Sequence, residues 1–173
     1  MLDLTLKHLD EFKKVHMNTW FNPKYMYYNY RSYYDTPEIK ESTWDCHDFV
    51  SLDKDGKIIG NIYYSIDRVR DSVFGLGIIC YDDKSNVTFG KDVLLAVNDM
   101  FEKFHFHKLS CSVVVGNPIE KTYDKLIPKY GGRIVGIERA EVKLIDGKYY
   151  DAKKYEILRE DYMKAKEINK CKD

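Results

Sequence analysis

A chain of 173 residues can bury one core. Its 28 basic and 28 acidic side chains leave it without a net field to draw it onto nucleic acid or an anionic membrane. No apolar run approaches the roughly 20 residues of a membrane-spanning helix, and the first residues mix charged with apolar side chains, unlike a secretory leader. One cytoplasmic domain over residues 1–173 is therefore expected, with no nucleic-acid or membrane partner. The heavy use of Lys, Asn, Ile and Tyr is that of an AT-rich bacterial or phage genome.

Residues 2–6 alternate in hydropathy and read as a short strand. Asp10 can cap a helix running to about Trp20, with Phe12, Val15 and Thr19 on one face. A tyrosine-rich stretch follows, holding Tyr25, Tyr27, Tyr28, Tyr30, Tyr33 and Tyr34. Thr36-Pro37-Glu38 has the form of a helix start, and a second helix is expected toward Trp44. Residues 49–52, 57–66 and 72–81 read as three consecutive strands, the first two joined at Asp53-Lys54-Asp55-Gly56. Residues 82–89 are polar and loop-like. Helical period runs from Gly90 to about Phe106, carried by Val93, Val97, Met100 and Phe104. Residues 109–115 are apolar enough for a buried central strand. Residues 118–129 form a helix with Ile119, Tyr123, Leu126 and Ile127 inward, stopped at Gly131-Gly132. Residues 133–145 and 149–159 are long strands joined at Asp146-Gly147, and a charged tail follows. The fold class expected is α+β, a mixed, mostly antiparallel sheet of six to seven strands flanked by about four helices.

Cys46, Cys80, Cys111 and Cys171 form no CxxC pair, and in a cytosolic protein no disulfide is expected. Cys80 and Cys111 lie in apolar strands and read as small hydrophobes. Cys46-His47 and His105-x-His107 lack further ligands at suitable spacing, so no metal is expected.

The element order resembles the GNAT N-acetyltransferase superfamily. Residues 109–132 are similar to that family's strand, Asn, helix and Gly-Gly succession, with Asn117 after the strand and Tyr123 on the helix. Gly147-Lys148-Tyr149-Tyr150-Asp151 followed by Tyr155-Glu156-Ile157-Leu158, with Arg139 on the preceding strand, resembles the ending of the ribosomal-protein N-terminal acetyltransferase branch. The family's glycine-rich pyrophosphate loop departs from its pattern: aligned on the helix, the chain offers Ser85-Asn86-Val87-Thr88-Phe89-Gly90, where only the last glycine survives.

The resemblance implies splayed central strands and transfer of an acetyl group from acetyl-CoA, the co-substrate, to a primary amine, either a protein N-terminus or a small molecule. It implies that Ile78, Ile79, Cys80 and Tyr81 pair with the pantetheine arm, that the amides of Val87, Thr88, Phe89 and Gly90 hold the pyrophosphate, that Lys84 and Lys91 flank it, and that Asn117 contacts the co-substrate. Tyr123 would be the general acid. The general base is left open among Asp82, Asp83 and Glu138, the last falling in an inward phase with Ile134, Ala140 and Val142. Tyr28, Tyr30, Tyr33 and Tyr34 would wall the acceptor channel, and the exposed tyrosines leave a homodimer open. The altered loop supports a competing reading as an inactive, GNAT-like binding module.

Overall fold

The structure is a computed structural model that describes residues 1–28, 37–82 and 86–170. The strands are β1 (Leu2–Leu4), β2 (Cys46–Leu52), β3 (Ile58–Asp67), β4 (Ser72–Cys80), β5 (Lys108–Val114), β6 (Arg133–Lys143) and β7 (Tyr149–Leu158). The helices are α1 (Leu9–Met17), α2 (Val87–Glu102), α3 (Glu120–Lys129) and α4 (Arg159–Lys170), with single 3-10 turns at Thr5–His8 and Pro23–Tyr25. One sheet takes the order β1-β2-β3-β4-β5-β7-β6. Every neighbour is antiparallel except β4 and β5, which are parallel.

Alternation along β2 assigns the two faces of the sheet. Val50 and Leu52 pack with Ile58 against Phe12 of α1, whereas Ser51 points the other way and donates 2.6 Å to Asp92 of α2. Burying Phe12 fully contributes about 2–3 kcal/mol. On the α2 face the largest cluster joins Tyr64, Val73, Met100, Phe101, Leu109, Ile157 and Tyr162, so α4 closes the same core. The Tyr162 hydroxyl reaches Asn98 and Glu102 of α2, which locks the charged tail down as a helix.

Several expected elements are corrected. The helix expected from Thr36 toward Trp44 does not form, since residues 37–45 are irregular and β2 already starts at Cys46; Thr36 itself lies outside the described residues. Asp10 does not cap α1; His8 stands at that position and Asp10 falls in the first turn. Helix α2 starts at Val87, not Gly90, because the Asn86 side chain accepts from the Phe89 amide. It ends at Glu102, and His105 takes a left-handed φ of 59°, which a helix to Phe106 forbids. Its buried residues are accordingly Phe89, Asp92, Ala96, Met100 and Phe101. Along α3 no residue is fully buried, and Ile119 and Leu126, expected inward, are exposed.

Candidate active site

Strands β4 and β5 pair only at Ser72 with Lys108 and Val73 with Leu109. Beyond that point they part. The cause lies in β4: two residues, Gly75 and Leu76, stand opposite one on β3, Tyr64, and Gly75 takes a φ of 62° in this bulge. Bulged and bent, β4 stays with β3 while β5 stays with β7 over its full length. The main chain of β5 from Ser110 onward thus has no ladder partner on the β4 side.

The split opens a cavity of about 700 Å³ that passes through the sheet. At its α1 end stand Phe12, His16, Tyr28, Asp48, Asn61 and Tyr63; at its α3 end stand Cys111, Asn117 and Tyr123. Both phases of β5, Ser110 and Ser112 as well as Cys111 and Val113, line it, because the walls belong to both faces of the sheet.

Tyr123 packs edge-on to Tyr155 at 5.8 Å, in a cluster with Cys111 and Val113. Burial, and then the neighbouring Cys111, push its pKa well above that of an ordinary phenol, so its hydroxyl keeps its proton. Helix α3 is held in place by Lys153 of β7, which pairs with Glu120 and Asp124, while Tyr155 donates 2.9 Å to Asp124. Asn117 spends its side-chain oxygen on the Ile119 amide at 3.1 Å, a local turn that leads into α3, and its amide nitrogen remains for the cavity. Burial pushes the Cys111 thiol up to about 12, leaving it a protonated, unreactive group.

At the other end, His16 of α1 and the Tyr81 hydroxyl are 3.0 Å apart. Burial lowers the pKa of His16 from 6.5 to about 4. The unfolded ring takes up a proton near pH 6.5, and the folded ring only near 4, so acid favours the unfolded chain. Stability is expected to fall as pH drops through that window, by up to about 3 kcal/mol from this group. Denaturant unfolding of wild type and His16→Gln between neutral pH and about pH 4 checks this: the variant's stability should depend less on pH there. Equal slopes would remove His16 as the cause.

The structure brings some expected site residues together and separates others. Tyr123, Asn117, Ile78 and Tyr28 line the cavity. Ile79, Cys80, Tyr81, Asp82 and residues 87–91 do not. Cys80 packs toward the Phe89 cluster of α2, and the Tyr81 amide bonds Ile59 of β3. The Asp82 carboxylate accepts from the Asn86 side chain, so it braces the start of α2. Glu138 is not in an inward phase: bulges between Ile134 and Gly136 and between Glu138 and Val142 shift the register, and it stands half-exposed, paired with Lys154 at 3.0 Å. The four-amide cradle is also changed. The Gly90 amide bonds the Asn86 carbonyl and the Phe89 amide its side chain, while the Phe89 ring is buried; Val87 and Thr88 keep the outward amides of the first turn. Lys91 is exposed. Tyr30, Tyr33, Tyr34, Asp83 and Lys84 lie outside the described residues.

Sequence reasoning missed His16, Asp48, Asn61 and Tyr63. The signal for His16 was present, four residues after Phe12 on the apolar face of α1. Asp48 shares the buried phase of Val50 and Leu52, which becomes visible once β2 is extended back to Cys46. Among the described residues no group of three His, Cys, Asp or Glu is placed to hold a metal, and no helix is long and apolar enough to cross a membrane.

No family model matches the chain, and none of the curated proteins does. Solved structures do match. Spermidine N-acetyltransferase from Vibrio cholerae in complex with CoA and spermine aligns with a TM-score of 0.74 at 23% identity, over 94% of this chain and 97% of that one. A spermidine N-acetyltransferase chimera built on the same enzyme aligns at 25% identity with a TM-score of 0.58, over 69% of this chain and 71% of that one. A protein described as a probable acetyltransferase aligns at 18% identity with a TM-score of 0.58, over 68% and 64% of the two chains. The chain has the GNAT fold, with its seven-stranded mixed sheet and splayed central strands.

Proposed function

We propose that this protein is an acetyl-CoA-dependent N-acetyltransferase whose acceptor is a small primary amine. One observation carries the reading: the cavity through the sheet where β4 and β5 part, which joins two chemically different ends. Structures of the same fold are N-acetyltransferases, one of them in complex with CoA and spermine. The residues fit the co-substrate in two respects. The inner edge of β5 offers unpaired main-chain groups to an extended amide-bearing arm, and Val87 and Thr88 present outward amides at the N-terminus of α2 to phosphate. When bound, acetyl-CoA supplies the activated acetyl thioester.

The roles of the chain's own residues follow from position. Tyr123, protonated at neutral pH, is the proton donor at the α3 end. Asn117 offers its amide nitrogen to the co-substrate. Cys111 stays a thiol, so it does not compete for the acyl group. Between a protein N-terminus and a small molecule, the small amine is favoured because the α1 end is lined by the aromatic rings of Phe12, Tyr28 and Tyr63 and holds a carboxylate. Spermidine in the names of the similar structures points the same way. A structure of the Vibrio cholerae enzyme is dodecameric; here the exposed Ile134, Val135 and Ile137 of edge strand β6 would be the seat of a second copy.

Thermal unfolding with and without acetyl-CoA tests the co-substrate site. Ligand at a hundred times its Kd adds about 2.7 kcal/mol, which raises Tm by roughly 5–10 °C for a domain of this length. Such a shift is the expected result. No shift at millimolar ligand would overturn the acetyltransferase reading in favour of a binding module.

A further inference from the structure

The α1 end of the cavity contains one half-buried carboxylate, Asp48, that has no counter-ion among the described residues. Asp48 lies on β2 directly opposite Tyr63 of β3. Its Oδ1 accepts from the Thr5 hydroxyl at 2.5 Å and from the Asn61 side-chain amide at 2.7 Å. No described Lys, Arg or His forms an ion pair with it, and His16 nearby is held neutral by its own burial. Burial raises the pKa of Asp48, while the bonds from Thr5 and Asn61 pull it back.

A second observation meets the first. The Tyr28 hydroxyl lines the same cavity, is buried beside the Tyr63 phenol, and makes no hydrogen bond of ordinary length among the described residues. Burial first, and after it nearby charge that includes Asp48, keeps the Tyr28 and Tyr81 phenols protonated. A largely desolvated carboxylate without a counter-ion and a buried hydroxyl without a full hydrogen bond are each costly, and one incoming group that is cationic and rich in donors relieves both.

We propose that Asp48, with the Tyr28 hydroxyl beside it, is the recognition point for a protonated amino group of the acceptor. An ammonium carries three donors and no acceptor. One reaches the open Oδ2 of Asp48, and a second the Tyr28 oxygen. Selection is then by charge: a neutral alcohol of the same shape leaves the carboxylate uncompensated. A molecule with two amines can rest one at Asp48 while the other extends through the sheet toward Tyr123. The link to turnover rests on the acetyltransferase reading; the binding of the amine does not.

The test uses the intact protein without acetyl-CoA. Calorimetric titration with 1,6-diaminohexane and, separately, 1,6-hexanediol is run on wild type, Asp48→Asn and Tyr28→Phe. The diamine should bind wild type in clear preference to the diol. Asp48→Asn should weaken the diamine at least about tenfold, as expected for loss of a charge-assisted bond, and erase the preference. Tyr28→Phe should weaken it less. Asp48→Asn should unfold no lower than wild type, because it removes an uncompensated charge while keeping an acceptor for Thr5. The proposal is overturned by diamine affinity within about threefold of wild type in Asp48→Asn, by diol binding as tightly as diamine, or by no diamine binding to wild type. If that variant does not fold, the diamine and diol pair on wild type still decides. Diamine held through Asp48 by a protein that ignores acetyl-CoA would retain this site and remove the acetyltransferase reading. Acetylation of the diamine with wild-type KM in Asp48→Asn would do the reverse.

Discussion

Replacing Tyr123 by Phe should lower acetyl transfer at least about tenfold while leaving acetyl-CoA affinity within about twofold of wild type. The removed oxygen is small and the ring stays, so the edge-on packing against Tyr155 and the contacts with Cys111 persist. What is lost is a phenol at the α3 end of the cavity, held protonated by burial. Proton donation by a positioned side chain contributes typically 10²–10⁴-fold, so tenfold is a conservative floor. The deficit should fall on kcat, because the hydroxyl acts on a group that departs and not on the resting complex. Steady-state kinetics with a diamine acceptor, alongside calorimetric binding of acetyl-CoA, separates the two. Unchanged kcat would withdraw the role; equal loss of affinity and rate would make Tyr123 a packing residue.

Gly131→Ala should be among the most destabilising single substitutions available. Gly131 follows α3 with φ of +81°, the left-handed geometry that ends the helix, with its amide bonded to the Pro128 carbonyl. A methyl group there would sit 2.6 Å from the Asp161 carbonyl carbon and closer still to its oxygen. That neighbour is the backbone of the first turn of α4, which cannot rotate away as a side chain does. Left-handed strain costs about 1 kcal/mol, and the collision roughly 1–3 kcal/mol more. A fall in Tm of roughly 5–15 °C is expected. Gly90→Ala is the matched control: it lies in α2 with nothing within 4 Å of the added carbon, and should be neutral or gain up to about 1 kcal/mol. Parallel melting of the two variants checks the pair; equal Tm values would mean that α4 can shift to admit the methyl.

The tyrosine-rich stretch shows where local reading ended. Tyr28 was singled out for its side chain, and it does line the cavity. The role proposed for it, however, depends on Asp48, twenty residues on, which local pattern left outside the strand. Periodicity failed there for an identifiable reason: His47 and Asp48 are polar on both faces of β2, so the apolar alternation starts only at Phe49 although the ladder starts at Cys46. The same limit applied to Glu138. Counting by twos along β6 put it inward, and two bulges invisible to hydropathy turned it out to Lys154. At α2 the misplaced start had a different origin. Val87, Thr88 and Phe89 are weak helix formers that read as loop, and the Asn86 cap with the burial of Phe89 against Gly60 outweighed that propensity.

Local pattern was enough for the α+β class, six of the seven strands close to their places, the helix that carries Tyr123, the Gly131-Gly132 stop and the final hairpin. Each of these is a local matter, set by side-chain period, by turn chemistry or by a glycine that a turn requires. Three-dimensional pairing was needed to see that β4 bulges at Gly75 and parts from β5, that the resulting cavity crosses the sheet, and that Asp48, His16 and Tyr28 share its α1 end. These depend on which strands pair and where pairing stops, and that is fixed by contacts between residues far apart along the chain, which no local pattern encodes.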